Sequence, residues 1–317
     1  MGKYIVRRLI NMVPVLFILS IFIFALIRLL PGDPIFAIIG QEAGNMDAET
    51  IARWRHDLGL DKPIPVQYLD WLSDVVRGDW GKSSLRELPV IDEVKQRFPI
   101  TFQLSVVAWI MSLVIAIPIG IIAAVKRNSK LDVISTGTAL TFVALPHFWL
   151  AIMLILLFGV VLDILPTFGW VDLWDNPWEW FRHMILPAFT LASGLAAQNL
   201  RQTRSAMLEV MAEDYIRTAR AKGLRNTSIV WLHALKNALL PVVTVAGMQI
   251  GRIMGGTIIT ETIFSVPGMG MLAVNSVLLR DYTVVQMVVL LLGLTVLVAN
   301  LVTDLLYAYL DPRIRYA

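Results

Sequence analysis

The run Arg77-Gly78-Asp79-Trp80-Gly81-Lys82-Ser83 carries the glycine, lysine and hydroxyl types that cradle a phosphate. Only two residues separate its glycines, whereas a phosphate loop has four, and no strand precedes it, so the pattern is not a nucleotide site. His56, His147, His183 and His233 are scattered without metal-ligand spacing. With no Cys, thiolate chemistry and disulfides are excluded, and no nucleophile elbow, zincin motif or dinucleotide turn is present. Any work done against a gradient must draw its energy from a partner or an ion. The polar residue that does call for a role is Arg252, set in the apolar stretch Gly247-Met248-Gln249-Ile250-Gly251-Arg252-Ile253-Met254-Gly255-Gly256. At the centre of a membrane helix an arginine costs about 2.5–3.5 kcal/mol, so it should face a cavity or an acid. A pore-facing role and a structural ion pair both fit. The overlapping GxxxG patterns beside it read first as close helix packing.

The elements that must position these residues follow from composition. Of 317 residues 57% are hydrophobic and 16% charged, with mean hydropathy +0.69, where soluble domains carry about 25% charge. The excess must face lipid. Six segments suit the roughly 20 apolar residues that a bilayer core requires: Leu9 to Ile27, Thr101 to Val125, Val133 to Leu162, Met184 to Leu200, Ala238 to Thr260 and Tyr282 to Thr303. In lipid the backbone must satisfy its own hydrogen bonds, so these are helices. The pattern gives an all-α integral membrane protein with six transmembrane helices, the first read as an uncleaved anchor over 1–30 because its apolar run exceeds that of a signal peptide. Pro118, Pro146 and Pro187 should each kink a span.

Lys3, Arg7, Arg8, Lys126, Arg127, Lys130, the bases from Arg201 to Lys236, and Arg313 and Arg315 fall on one side of this arrangement, 15 of 27 in all. By the positive-inside rule both termini are cytoplasmic. The pI near 9.2 is therefore topology and not a sign of nucleic-acid binding. Residues 31–100 form a helical extracytoplasmic loop subdomain, with one helical face through Ile51, Trp54 and Leu58 and another through Val66, Leu69, Leu72, Ser73 and Val76. That loop suits either a lid covering its own apolar faces or a docking surface for another protein.

The inner segment 205–237 reads as a helix, Gly-turn, helix hairpin. Leu208, Met211, Ala212, Tyr215, Ile216 and Ala219 form one apolar stripe from Ser205 onward. Glu209, Glu213 and Asp214 come first and Arg217, Arg220 and Lys222 last, as the helix dipole favours, with Glu213 and Arg217 at i,i+4. Gly223 suits a C′ position, and Asn226, Thr227 or Ser228 could cap a second helix ending at Pro241. An interfacial helix on anionic lipid is the alternative, opposed by the acids in the first turns.

Taken together, the residues resemble permease subunits of the peptide/nickel class of bacterial ATP-binding-cassette (ABC) importers, the oligopeptide and dipeptide permease family. The likeness spans the chain: Pro31-Gly32-Asp33-Pro34, Leu58-Gly59-Leu60-Asp61, Gly78-Asp79-Trp80-Gly81-Lys82-Ser83, Asp214-Tyr215-Ile216-Arg217-Thr218-Ala219-Arg220-Ala221-Lys222-Gly223-Leu224, His233 to Pro241, Pro267-Gly268-Met269-Gly270 and Tyr309 to Tyr316. The hairpin departs from the general permease loop: Arg217 and Thr218 stand where Glu and Ala would be, and 17 residues separate Gly223 from Pro241 where the general pattern has 12. Both departures resemble the peptide branch.

The resemblance implies a type I ABC importer permease fold, with a core permease domain at 101–317, in the bacterial inner membrane. It further implies docking of the hairpin, through Glu213, Asp214, Tyr215, Arg217, Thr218, Ala219, Arg220, Lys222 and Gly223, onto a cytoplasmic ATPase. The implied partners are a second homologous permease subunit, two ATPase subunits that bind the ATP and magnesium, and an extracytoplasmic substrate-binding protein. This chain itself would be non-catalytic and cofactor-free, with Arg252 a pathway-lining candidate. Peptide is the expected cargo, with nickel chelates, glutathione, opines or oligosaccharides as alternatives. A self-sufficient secondary transporter predicts midplane acids, and no Asp or Glu falls in the middle of a span. An intramembrane enzyme needs an acid and base pair or a metal cluster, and neither is present.

Overall fold

Apolar runs punctuated by Pro, Gly and charged flanks fold here as helices alone among the described residues. The computed structural model describes residues 2–29, 47–57 and 59–310. The motifs at Pro31–Pro34 and 311–316, and Leu58 of the first loop face, lie outside the described residues. The helices are α1 (Gly2–Leu29), α2 (Ala48–Asp57), α3 (Ile64–Arg77), α4 (Val90–Val125), α5 (Lys130–Ala144), α6 (His147–Val161), α7 (Pro177–Val210), α8 (Asp214–Ala221), α9 (Asn226–Ile263), α10 (Met269–Leu278) and α11 (Tyr282–Leu310).

The chain divides into two compact units, one of Phe102–Val266 with the end of α11 from Val298, the other of Gly2–Thr101 with Pro267–Leu297. In the first, α7 packs along α9 and α5. Its core holds a cluster of Ala116, Ala139, Ala196, Ala197 and Leu200, whose small side chains let the helices approach closely. Leu104, Ala108, Met184 and Ala188 form another cluster. In the second unit Val90, Val94, Met269, Leu272, Val284, Met287 and Val288 form the core.

Among the described residues four helices are long and apolar enough to cross a membrane: Val6–Ala25 within α1, α4, α9, and Tyr282–Leu305 within α11. The other two expected spans differ. The third span, Val133 to Leu162, expected as one helix kinked at Pro146, is instead two helices, α5 and α6, which meet at 107°. Pro146 is the reason. Its ring disfavours the helical region for the residue before it, and Leu145 is extended at φ −74°, ψ 130°. The fourth, Met184 to Leu200, sits inside the 34-residue α7, which is more polar and buries Thr190, Ser193, Asn199 and Thr203.

The hairpin also departs from expectation. Instead of one helix from Ser205 onward, α7 ends at Val210, Glu213 is extended at φ −65°, ψ 150°, and α8 begins at Asp214. In a continuous helix Met207 and Ile216, nine residues apart, would point to opposite sides. The break folds the chain back so that both enter one buried cluster with Ile121, Ala206, Ala219, Ile229, Val230, Ala234 and Ala238. The residue at the N-cap of the following helix is Arg225, which makes no side-chain cap bond, in place of Asn226, Thr227 or Ser228. Nor does Pro241 end that helix. After a π-helical stretch at Ile229–Ala234, α9 runs through Pro241 to Ile263, since a membrane helix packed against its neighbours tolerates one missing N–H.

Candidate functional site

Two places gather the singled-out residues, both within the first unit. The first is the hairpin. Ile216 and Ala219 anchor α8 in the buried cluster, so Ala219 is not available to a partner, while Glu213, Asp214, Tyr215, Arg217, Thr218, Arg220, Lys222 and Gly223 are exposed. Arg217 pairs with Asp214 at 3.2 Å, not with Glu213. Thr218 Oγ1 donates to the Asp214 carbonyl, and Asn237 Nδ2 donates to the Tyr215 hydroxyl at 2.8 Å, tying α8 to α9. Gly223 follows the α8 C-cap Lys222 at φ +77°, the left-handed region expected of a C′ glycine, and open space surrounds it. Its requirement is conformational and not steric.

Beside the hairpin, Arg204 of α7 grips Asp132 at the start of α5 with both Nε and Nη2, at 2.5 and 2.9 Å. Asp132 also accepts from the Asn128 N–H, and its own N–H donates to Ser129 Oγ, the α5 cap. Arg204 stands in the sequence only among the inner-flank bases. The available signal was Asp132 itself, an acid amid Lys126, Arg127 and Lys130.

The second place is a cavity of about 350 Å³ lined by Phe142, His147, Gln198, Arg201, Arg252 and Gly256, among others. The bend between α5 and α6 opens it, and α7 and α9 supply the polar wall. Among the described residues neither guanidinium has a carboxylate partner. Next to it runs a buried polar chain: Asn199 Nδ2 donates to Gln249 Oε1 at 2.9 Å and to Ser112 Oγ at 3.3 Å, and Gln249 Nε2 donates to Gln198 Oε1 at 3.3 Å. Trp109 Nε1 donates to the Ala246 carbonyl. Of the GxxxG glycines, Gly247 packs against Thr303, whose hydroxyl donates to its carbonyl at 2.8 Å, whereas Gly255 and Gly256 face open space. Close packing therefore explains one end of the motif and the cavity the other.

The phosphate-loop mimic has a structural explanation in the second unit. Gly78 ends α3 at φ +88°, Asp79 Oδ1 accepts from the Gly81 N–H, and Trp80 Nε1 donates to the Val75 carbonyl. Ser83 Oγ donates to Asp281 Oδ2 at 2.5 Å. Before α3, His56 hydrogen-bonds the Asp61 carboxyl and holds it below its ordinary pKa, while Asp70 raises that of Lys62.

Residues 116–316 match the model of the binding-protein-dependent transport system inner membrane component, and residues 1–105 match its N-terminal companion. The chain belongs to this family. The glutathione transport system permease protein GsiC of Escherichia coli strain K12, and that of Shigella dysenteriae serotype 1, are each 42% identical over 316 residues, covering 100% of both chains. Among solved structures, two inward-facing forms of the MetNI methionine ABC transporter superpose with TM-scores of 0.58 and 0.54, at 20% and 18% identity. They cover 69% and 70% of this chain, and 96% and 97% of theirs. The fold is that of a type I importer permease. As a binding-protein-dependent inner membrane component, the chain is the non-catalytic translocation subunit of an ABC importer, working with a partner permease, an ATPase and a substrate-binding protein.

Proposed function

We propose that this permease carries glutathione, or a short peptide of similar size and charge, across the inner membrane. The observation that carries the reading is the full-length 42% identity to the glutathione permeases. The cavity supports it chemically, because Arg201 and Arg252 present two unpaired cations to a cargo whose backbone ends in carboxylates. Both termini lie in the cytoplasm, with a second homologous permease subunit completing the pathway. The exposed hairpin residues Glu213, Asp214, Tyr215, Arg217, Thr218, Arg220, Lys222 and Gly223 dock one of two cytoplasmic ATPase subunits, which hold the ATP and magnesium, and this chain holds no cofactor of its own.

The test is uptake of labelled glutathione in a host deprived of its own glutathione and dipeptide importers, expressing this chain with its partner subunits. Glutathione uptake that excess dipeptide does not suppress is the expected result. Uptake of dipeptide, nickel chelate, opine or oligosaccharide in place of glutathione would overturn the cargo and leave the importer role intact.

A further inference from the structure

The helix α3 carries three parallel stripes. Ile64, Tyr68, Trp71 and Val75 recur at spacings of four, three and four residues, as do Pro65, Leu69, Leu72 and Val76, while Gln67, Asp70, Asp74 and Arg77 make the polar third. Beyond the exposed Ile64, the first stripe is turned to the protein. Tyr68 is buried against α1, its hydroxyl hydrogen-bonded to Ser20 at 2.8 Å and its ring edge-on to Phe17 and Phe24 at 6.0 and 5.5 Å. Trp71 meets Phe24 at 5.7 Å, and with Val75 packs on the core of the second unit. The third stripe is held in polar contacts, Asp70 with Lys62 at 2.7 Å and Gln67 with the Leu60 and Lys62 carbonyls. The second stripe is more open: Leu72 is half-buried, Leu69 is 61% exposed and Val76 79%.

The depth of α3 follows from its neighbours. The uncharged run of α1 continues to Ile27, before Arg28, so Ser20 lies seven residues inside that limit, about 10–11 Å at 1.5 Å per residue. Trp71 and Val75 pack on the cluster formed by Val90 and Val94 at the start of α4 and Val284 at the start of α11, beside the charged turn Asp92 to Arg97, so α3 sits where those spans begin, the level at which aromatic rings collect. A helix with its charges on one side, lying so that its apolar side dips about 5–10 Å into the headgroup–acyl boundary, is an interfacial helix. Ile18, Ile21 and Phe22 of α1 are exposed as well.

We propose that α3 lies in the plane of the membrane at the Leu29 end of α1, with Leu69, Leu72 and Val76 in contact with lipid acyl chains. The helix then serves as an anchor that holds the segment between α1 and α4 to the bilayer surface, rather than as a free lid.

The absence of cysteine allows single nitroxide labels without background. Leu69→Cys, Val76→Cys, Asp70→Cys and Asp74→Cys would be labelled in the assembled transporter in proteoliposomes, and collision with oxygen and with a water-soluble nickel chelate measured. Expected is a change of sign in the logarithm of the oxygen-to-nickel collision ratio between the pair 69 and 76 and the pair 70 and 74. Nickel access at 69 and 76 would show a water-facing lid and overturn the proposal. Protection of both positions from both quenchers would overturn it in favour of a protein partner on that face. Val76→Cys alone decides between these outcomes should Leu69→Cys fail to assemble.

Discussion

Arg204 holds Asp132 through two nitrogens, 72 residues away in sequence, where the start of α5 meets the end of α7 above the hairpin. Asp132 is 3% exposed, so removing its partner leaves a buried carboxylate whose hydrogen bonds to a charged group were each worth about 1.5–3 kcal/mol. Arg204→Ala should lower the thermal midpoint of the purified transporter. The reversed pair, Arg204→Asp with Asp132→Arg, should recover part of the loss. A midpoint unchanged by the single substitution would show that the pair bears no load.

Within the hairpin, burial and exposure separate folding from function. Ile216 is fully buried, and Ile216→Ala should cost about 2–5 kcal/mol, seen as faster proteolysis at 211–225. Arg217→Ala, at an exposed position, should leave proteolysis unchanged and reduce substrate-stimulated ATPase activity. Normal stimulation in that variant would remove Arg217 from the docking surface.

At Gly223 the strain is in the backbone. A β-branched residue forced into the left-handed region costs about 1–2 kcal/mol, so Gly223→Val should weaken coupling of ATP hydrolysis to uptake more than Gly223→Asn, with membrane insertion equal. Equal coupling in the two variants would rule out the conformational reading.

For the cavity, Arg252→Gln should reduce uptake of a carboxylate-bearing cargo about ten- to a hundredfold, the equivalent of one charged hydrogen bond. The amidated analogue should lose less. An unchanged uptake rate with a lower folded yield would assign Arg252 a structural role.

In the second unit Asp281 is buried and receives Ser83 Oγ and the Ser84 and Val284 N–H groups. Asp281→Ala leaves these donors unsatisfied and should cost about 1–3 kcal/mol. Hydrogen exchange at 82–90 should rise. No change there would show that the loop is held by its own turn.

Much of this protein is readable from its chain because lipid imposes a local rule. A run of uncharged residues must become a helix wherever it falls, so the positions of α1, α4, α9 and α11 follow from composition alone. Local conformation was equally legible at Gly223, which only a residue tolerant of positive φ suits. What the chain alone left undecided were matters of direction. The stripe from Leu208 to Ala219 satisfies a single helix, and only the shared cluster of Met207 and Ile216 requires the break at 211–213. Pro146 marks a kink, but the 107° size of the turn, and the cavity that α7 and α9 line beside it, belong to the fold. Arg204 and Asp132 are ordinary flank charges until the helices carrying them meet. Helix formation is decided within a few residues of sequence, whereas the partner of a side chain is decided by which helix packs against it, and that information resides only in the tertiary fold.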